Sequence, residues 1–177
     1  MRDERARLEE ATTHRRPRMN SKWIQEGIIG GIVAGIVMAM VAMMYTLVAQ
    51  GDLLAPLKQM GALFFPNDPA SAISMGAGTV LHMMTAAGLG GVFALLVRGR
   101  IAGAMPLAVV GMTYILLEWL IASYLILPSI DTALLTTFTT IGGFIAHAMY
   151  GIVLGWWLAR RVAPWPVGLA SAALERR

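Results

Sequence analysis

Three ionisable side chains lie inside long apolar stretches of this 177-residue chain: His82, Glu118 and His147. His82 lies 11 residues after Ser71, His147 lies 10 after Thr137, and Glu118 lies 10 before Pro128. At the rise of an α-helix, each side chain would sit about 15 Å below the same end of its helix. The spacing therefore predicts one polar layer in the middle of a helical bundle, and the same depth in the first span falls near Met38 and Met40, of which Met40 is taken as the layer residue.

Three interpretations of this layer are open. In the first, the side chains hydrogen-bond with each other or with backbone and hydroxyl groups, and fix the helix register. In the second, His82 and His147 hold a cofactor. Two imidazoles suit a b-type haem; with Glu118 they suit Zn²⁺ or another transition metal, with Met40 as a soft ligand if the ion is copper. In the third, Glu118 changes charge while the imidazoles relay protons in a proton- or cation-coupled transporter.

The composition indicates which elements must position these residues. The chain is 57% hydrophobic and 14% charged, with a mean hydropathy of +0.66, whereas soluble domains are roughly 25% charged. The fold class predicted is all-α, an integral membrane four-helix bundle, with the lipid bilayer as its first partner. The predicted boundaries are a polar tail over 1–26, spans at about 27–49, 71–97, 101–128 and 137–159, an outer loop over 50–70, and a second tail over 160–177.

Two connecting segments have local predictions of their own. The first tail is expected to be disordered or a short surface helix. The loop 50–70 combines apolar residues with a lone Lys58 and ends in Pro66-Asn67-Asp68-Pro69. This pattern predicts either a short interfacial helix stopped by the prolines or a loop packed over the mouth of the bundle.

The basic residues predict the orientation of the bundle. Thirteen of the fourteen Lys and Arg residues flank the spans on one side, and only Lys58 is left for the other. Because Lys and Arg are retained on the cytoplasmic side, both termini are expected to be cytoplasmic. This dispersed distribution also argues against a nucleic-acid partner despite the pI of about 10.0, since nucleic-acid binders gather basic residues on one surface.

An internal repeat relates the second and fourth spans. A shift of 65 residues superimposes a stripe of small residues with one histidine in each span. Residues four apart share a helix face, so each stripe is expected to mediate helix packing, and the bundle is expected to consist of two similar hairpins. The predicted packing residues are Gly27, Gly31 and Gly35 in the first span, Gly78, Ala86 and Gly90 in the second, and Gly143, Gly151 and Gly155 in the fourth.

Aromatic residues and a proline complete the predicted elements. Trp156 and Trp157 stand beside Arg160 and Arg161, as interfacial anchors do. Trp119 is predicted to contact lipid or a partner, and Pro106 is predicted to kink the third helix or to lie in its first turns.

The stretch Gly143-Phe-Ile-Ala-His147-Ala-Met-Tyr150-Gly151-Ile-Val-Leu-Gly155, with its counterpart around His82, resembles a family of small four-span bacterial membrane proteins of unassigned function. The resemblance covers roughly 27–159 and implies a multi-pass membrane protein, with no activity attached; the membrane expected is the bacterial cytoplasmic membrane. The chain lacks cysteine, a phosphate-binding Gly-rich loop and an HExxH motif, so an enzyme is not favoured. We expect a structural or accessory subunit, working as a homo-oligomer or within a larger membrane complex; a transporter of this size would require a dimer.

Overall fold

A computed structural model describes residues 2–129 and 141–162, with side chains from residue 21 onward. Every element in these ranges is helical. The helices are α1 (Arg2–Gln50), α2 (Ala55–Ala62), α3 (Ala72–Val97), α4 (Ala104–Ile121) and α5 (Ile141–Arg161). One π-helical turn (Ala122–Ile126) and one 3₁₀ turn (Leu127–Ser129) extend α4.

Four of these helices are long and apolar enough to cross a membrane: Ser21–Gln50, Ala72–Val97, Ala104–Ser129 and Ile141–Arg161. The prediction of an all-α chain with four such helices is therefore confirmed for the described residues. The predicted start of the last span at residue 137 lies outside them, as do the residues after 162. The predicted first tail continues the backbone of α1, which already begins at Arg2.

The four long helices pack in the order α3, α1, α5, α4, whereas the backbones of α3 and α4 scarcely approach each other. Close packing is concentrated in two pairs, α1 with α3 and α4 with α5. These pairs are the two hairpins that the internal repeat predicts. Each repeat helix, α3 or α5, packs against the other long helix of its own hairpin, but α5 also packs against α1, whereas α3 has no comparable contact with α4.

Small residues make this close approach possible. A Cβ atom on Gly90 of α3 would lie 2.7 Å from the Cα of Gly31 in α1, and one on Gly27 would lie 2.5 Å from the Cβ of Ala94. In the second hairpin, a Cβ on Gly151 would lie 2.5 Å from the carbonyl carbon of Gly111. Larger side chains at these positions would push the helices apart, so the small-residue stripes set the interhelical distances.

Contacts between α1 and α5 join the two hairpins. Gly30 of α1 faces the indole of Trp157, and Gly142 at the other end of α5 faces the ring of Tyr45. The Trp157 indole N–H also donates a 3.0 Å hydrogen bond to the Glu26 carboxylate. Trp157 was predicted as an interfacial anchor, but it is half-buried between the hairpins because small residues of α1 leave room for its ring. Trp156 is 47% exposed and has the Arg160 guanidinium 4.7 Å above its ring.

The short helix α2 covers one end of the bundle. Gly61 packs against Ser74, and Gly78 of α3 faces Met60 and the Leu57 carbonyl. The loop 50–70 thus contains the predicted short helix, and that helix packs over the bundle mouth. Ser71 caps the start of α3 by accepting a 3.2 Å hydrogen bond from the Ser74 amide.

A tight turn after α3 leads into α4 at the opposite end of the bundle. Gly99 has a φ of +66°, a conformation that side chains with a Cβ disfavour. Pro106 lies in the first turn of α4, which begins at Ala104. A proline there removes no intrahelical hydrogen bond, so Pro106 introduces no kink.

Candidate functional site

A cavity of about 290 Å³ lies in the middle of the bundle and brings together His82, Glu118 and His147. Its walls come from α3, α4 and α5, while Met38 of α1 and Met60 of α2 close it on the other sides. The helices place these groups at one depth because α1 and α3 are held in register by their glycines, as are α4 and α5.

Met40 does not belong to this layer. It is 60% exposed and lines neither this cavity nor its smaller neighbour, whereas Met38 lines both. Residues two positions apart in a helix lie about 200° apart around its axis, so Met38 and Met40 point to opposite faces of α1. Of the two methionines predicted at this depth, Met38 lines the cavity, and the choice of Met40 as the layer residue is wrong.

The two histidines use different ring nitrogens to bond the backbone. The His82 Nε2–H donates a 3.0 Å hydrogen bond to the carbonyl oxygen of Gly35, which links α3 to α1. The His147 Nδ1–H donates a 2.7 Å hydrogen bond to the carbonyl oxygen of Gly143, one turn earlier in α5. Since a carbonyl oxygen can only accept, both ring nitrogens must carry the proton.

Trp119 packs directly against this site. It is 9% exposed, and its ring centroid lies 6.1 Å from that of His147 and 5.9 Å from that of Phe144. The prediction that Trp119 contacts lipid or a partner is wrong, because its face of α4 is turned towards α5. Leu117 and Leu120, on either side, are the exposed residues here.

Two tyrosines tie further helices to α3. The Tyr150 hydroxyl of α5 donates a 2.6 Å hydrogen bond to the Ala86 carbonyl oxygen. The Tyr114 hydroxyl of α4 donates a 3.2 Å bond to the Leu89 carbonyl oxygen. Neither tyrosine was among the predicted site residues. For Tyr150 a signal existed, since it lies three residues after His147 and therefore near it on the helix surface.

Glu118 differs from its neighbours in the cavity. Within the described part of the chain, no hydrogen bond or ion pair reaches its half-buried carboxyl group. The π-helical turn begins four residues later, where the Leu127 amide bonds the Ala122 carbonyl. Single π turns are frequent at functional sites. Ala122, Ile126 and Leu127 of this segment line the cavity beyond Glu118.

A second cavity of about 80 Å³ lies on the other side of the two imidazoles, between α1, α2 and α5. Met38, Met60, His82 and His147 line both cavities. These four side chains therefore form the wall between them. Gln59 also faces the smaller cavity, and its buried Oε1 accepts no hydrogen bond from the described residues.

The geometry bears on the predicted cofactors. Among the described residues, no three His, Cys, Asp or Glu side chains come close enough to hold a metal ion. Ligation of a haem by His82 through Nε2 would require breaking its bond to Gly35. Neither a metal nor a haem gains support from these contacts.

No protein-family model matches the chain, and no curated protein or solved structure matches it either.

Proposed function

We propose that the chain is a multi-pass protein of a bacterial cytoplasmic membrane, with both termini in the cytoplasm, and that it acts as a structural or accessory subunit. Large apolar side chains are exposed along all four long helices, including Ile36, Val80, Leu117 and Ile145. A water-soluble bundle would bury such residues, whereas lipid accommodates them. The resemblance to small four-span bacterial proteins supports the same assignment.

The orientation rests on charge. Among the described residues, five basic side chains flank the apolar segments at the end of the bundle that holds Trp157: Lys22, Arg98, Arg100, Arg160 and Arg161. Lys58 lies at the α2 end instead. Retention of basic residues in the cytoplasm then places the Trp157 end inside the cell.

Cysteine labelling tests this orientation cleanly, because the chain contains no cysteine. Lys58→Cys is expected to react with a membrane-impermeant maleimide in intact spheroplasts. Arg100→Cys is the matched control and is expected to react only after permeabilisation. Labelling of Arg100→Cys in intact cells would contradict the proposed orientation.

The observation that carries the structural role is a set of hydrogen bonds that side chains at the cavity make between helices. His82, Tyr114 and Tyr150 each donate a hydrogen bond across a helix interface to a backbone carbonyl. Such bonds connect α3 to α1, α4 and α5. Polar bonds between membrane helices contribute about 1 kcal/mol each, and they also fix the helix register.

We expect Tyr150→Phe to lower the free energy of unfolding by about 1 kcal/mol, because it removes only the hydroxyl that bonds Ala86. Tyr124→Phe is the matched control, since Tyr124 is 66% exposed. Unfolding in mixed micelles, followed by circular dichroism, measures both. Equal stability of the two variants would remove the support for a structural role.

A further inference from the structure

The cavity around Glu118 has a polar lining with an unusual balance of donors and acceptors. His82 and His147 each donate a ring N–H to a backbone carbonyl oxygen, and Tyr150 donates its O–H to the carbonyl oxygen of Ala86. In the neutral imidazole of His82 the second nitrogen is an acceptor, and the Tyr150 oxygen keeps its lone pairs. The carboxylate of Glu118 accepts only. The side chains thus offer the cavity mainly acceptors and a negative charge.

The remaining wall is apolar. Leu81, Leu89, Ile115 and Leu127 belong to it, and the volume of about 290 Å³ is at the lower limit for sites of small organic ligands. A bare metal ion would need several oxygen or nitrogen ligands, and the described residues group no three such side chains together. An apolar body with a single cationic group matches this wall better.

The cavity also has a route to the surrounding lipid. The backbones of α3 and α4 stay apart, and Tyr114 bridges them only on the side of Glu118 away from α2. Thr85 on α3 and Ile126 on α4 line the cavity and are exposed. A molecule dissolved in the membrane could therefore reach Glu118 sideways, between these two helices.

We propose that this cavity binds a small lipid-soluble ammonium compound, with an apolar body of about one ring, whose N–H groups donate to the Glu118 carboxylate. The ligand supplies the countercharge that the described residues do not give Glu118, and charge-assisted hydrogen bonds of this kind are among the strongest in proteins. Its apolar body fills the space between α3 and α4. This assignment goes beyond the structural role and does not depend on it.

The test uses the full chain in phosphatidylcholine nanodiscs and three probes of the same shape. We expect 2-phenylethylammonium to bind saturably, and neutral 2-phenylethanol and anionic 3-phenylpropanoate to bind at least about tenfold more weakly, since one lost charged hydrogen bond corresponds to about that factor. Glu118→Gln is expected to weaken binding of the ammonium probe about tenfold. Glu26→Gln, the same change outside both cavities, should leave it unchanged.

A second measurement needs no substitution. Methyl-labelled methionine gives NMR signals from the thirteen Met residues, of which Met38 and Met60 line the cavity while Met84 and Met105 are 69% and 75% exposed elsewhere. The ammonium probe should shift the signals of Met38 and Met60 and leave those of Met84 and Met105 in place.

Three results would each overturn the proposal: equal affinity for all three probes, unchanged affinity in a folded Glu118→Gln variant, or shifts spread over the exposed methionines.

Discussion

His82 and His147 occupy equivalent positions of the repeat but hold their protons on opposite ring nitrogens. His82 donates from Nε2 to the neighbouring helix α1, and His147 donates from Nδ1 to its own helix. The two rings also have different neighbours. Trp119 packs on the His147 ring at a centroid distance of 6.1 Å, and in the first hairpin the Gly35 carbonyl lies within reach of His82.

The two histidines are therefore expected to differ in tautomer. In the neutral state, ¹⁵N chemical shifts of labelled histidine should show the Nε2–H tautomer for His82 and the Nδ1–H tautomer for His147. His82→Gln and His147→Gln assign the two sets of signals. Two histidines with the same tautomer would show that one of the hydrogen bonds is absent in the membrane.

The depth of the polar residues could be predicted from spacing along a helix, but the direction in which a side chain points around the helix axis could not. Counting residues placed His82, Glu118 and His147 at one level, and the structure has all three around one cavity. The same count placed Met38 and Met40 together, although only Met38 points inwards. Every residue near them is apolar, so the sequence contains no polar face that would distinguish the two directions.

At the scale of the helices, the close approach of α1 and α3 depends on individual glycines. Gly90 faces Gly31 in the interface, while a Cβ on Gly88, half a turn earlier, would meet nothing within 4 Å. We expect Gly90→Ala to destabilise the protein by about 1–3 kcal/mol through overpacking. Gly88→Ala should be neutral or stabilising by up to about 1 kcal/mol because alanine favours the helix. Unfolding titrations in mixed micelles compare the two, and equal losses would contradict this packing.

The start of α2 depends on a carboxylate. Asp52 accepts a 3.0 Å hydrogen bond from the Leu54 amide and a 2.8 Å bond from the Lys58 ammonium. The hydrogen bond from Lys58 lowers the pKa of the Asp52 carboxyl below its usual value. A carboxyl group with a lower pKa in the folded state stabilises that state at pH values above its unfolded pKa. This contribution is lost as the pH falls through the folded value.

We therefore expect the α2 segment to open more readily below about pH 4. Hydrogen exchange of the Lys58 amide, which donates to the Leu54 carbonyl oxygen, should show protection falling in this range after correction for the intrinsic pH dependence of exchange. Asp52→Asn should show weaker protection and no such transition, and Asp68→Asn serves as the control. A transition that persists in Asp52→Asn would have another origin.

The four long helices could be predicted from the length of the apolar stretches alone, but the neighbours of each helix in space could not. The repeat correctly predicted two hairpins, because a small-residue stripe needs a closely packed partner helix. Which hairpin faces meet could not be predicted, since the contact depends on Tyr45 and Trp157 filling spaces left by Gly142 and Gly30. In the sequence, Trp157 fits an interfacial anchor equally well.

At the scale of the molecule, the two hairpins are joined by the α1–α5 interface rather than by the turn that connects them. The turn around Gly99 links α3 to α4, whose backbones scarcely meet, whereas α1 and α5 share packing at both ends and the Glu26–Trp157 hydrogen bond. Fragments 1–100 and 101–177, expressed together, should therefore assemble and copurify. Gly30→Leu should abolish copurification because the added side chain would collide with Trp157, while Gly88→Leu should not. Assembly that survives Gly30→Leu would mean that the contacts of α3 with α4 and α5, including the hydrogen bonds of Tyr114 and Tyr150, hold the halves together instead.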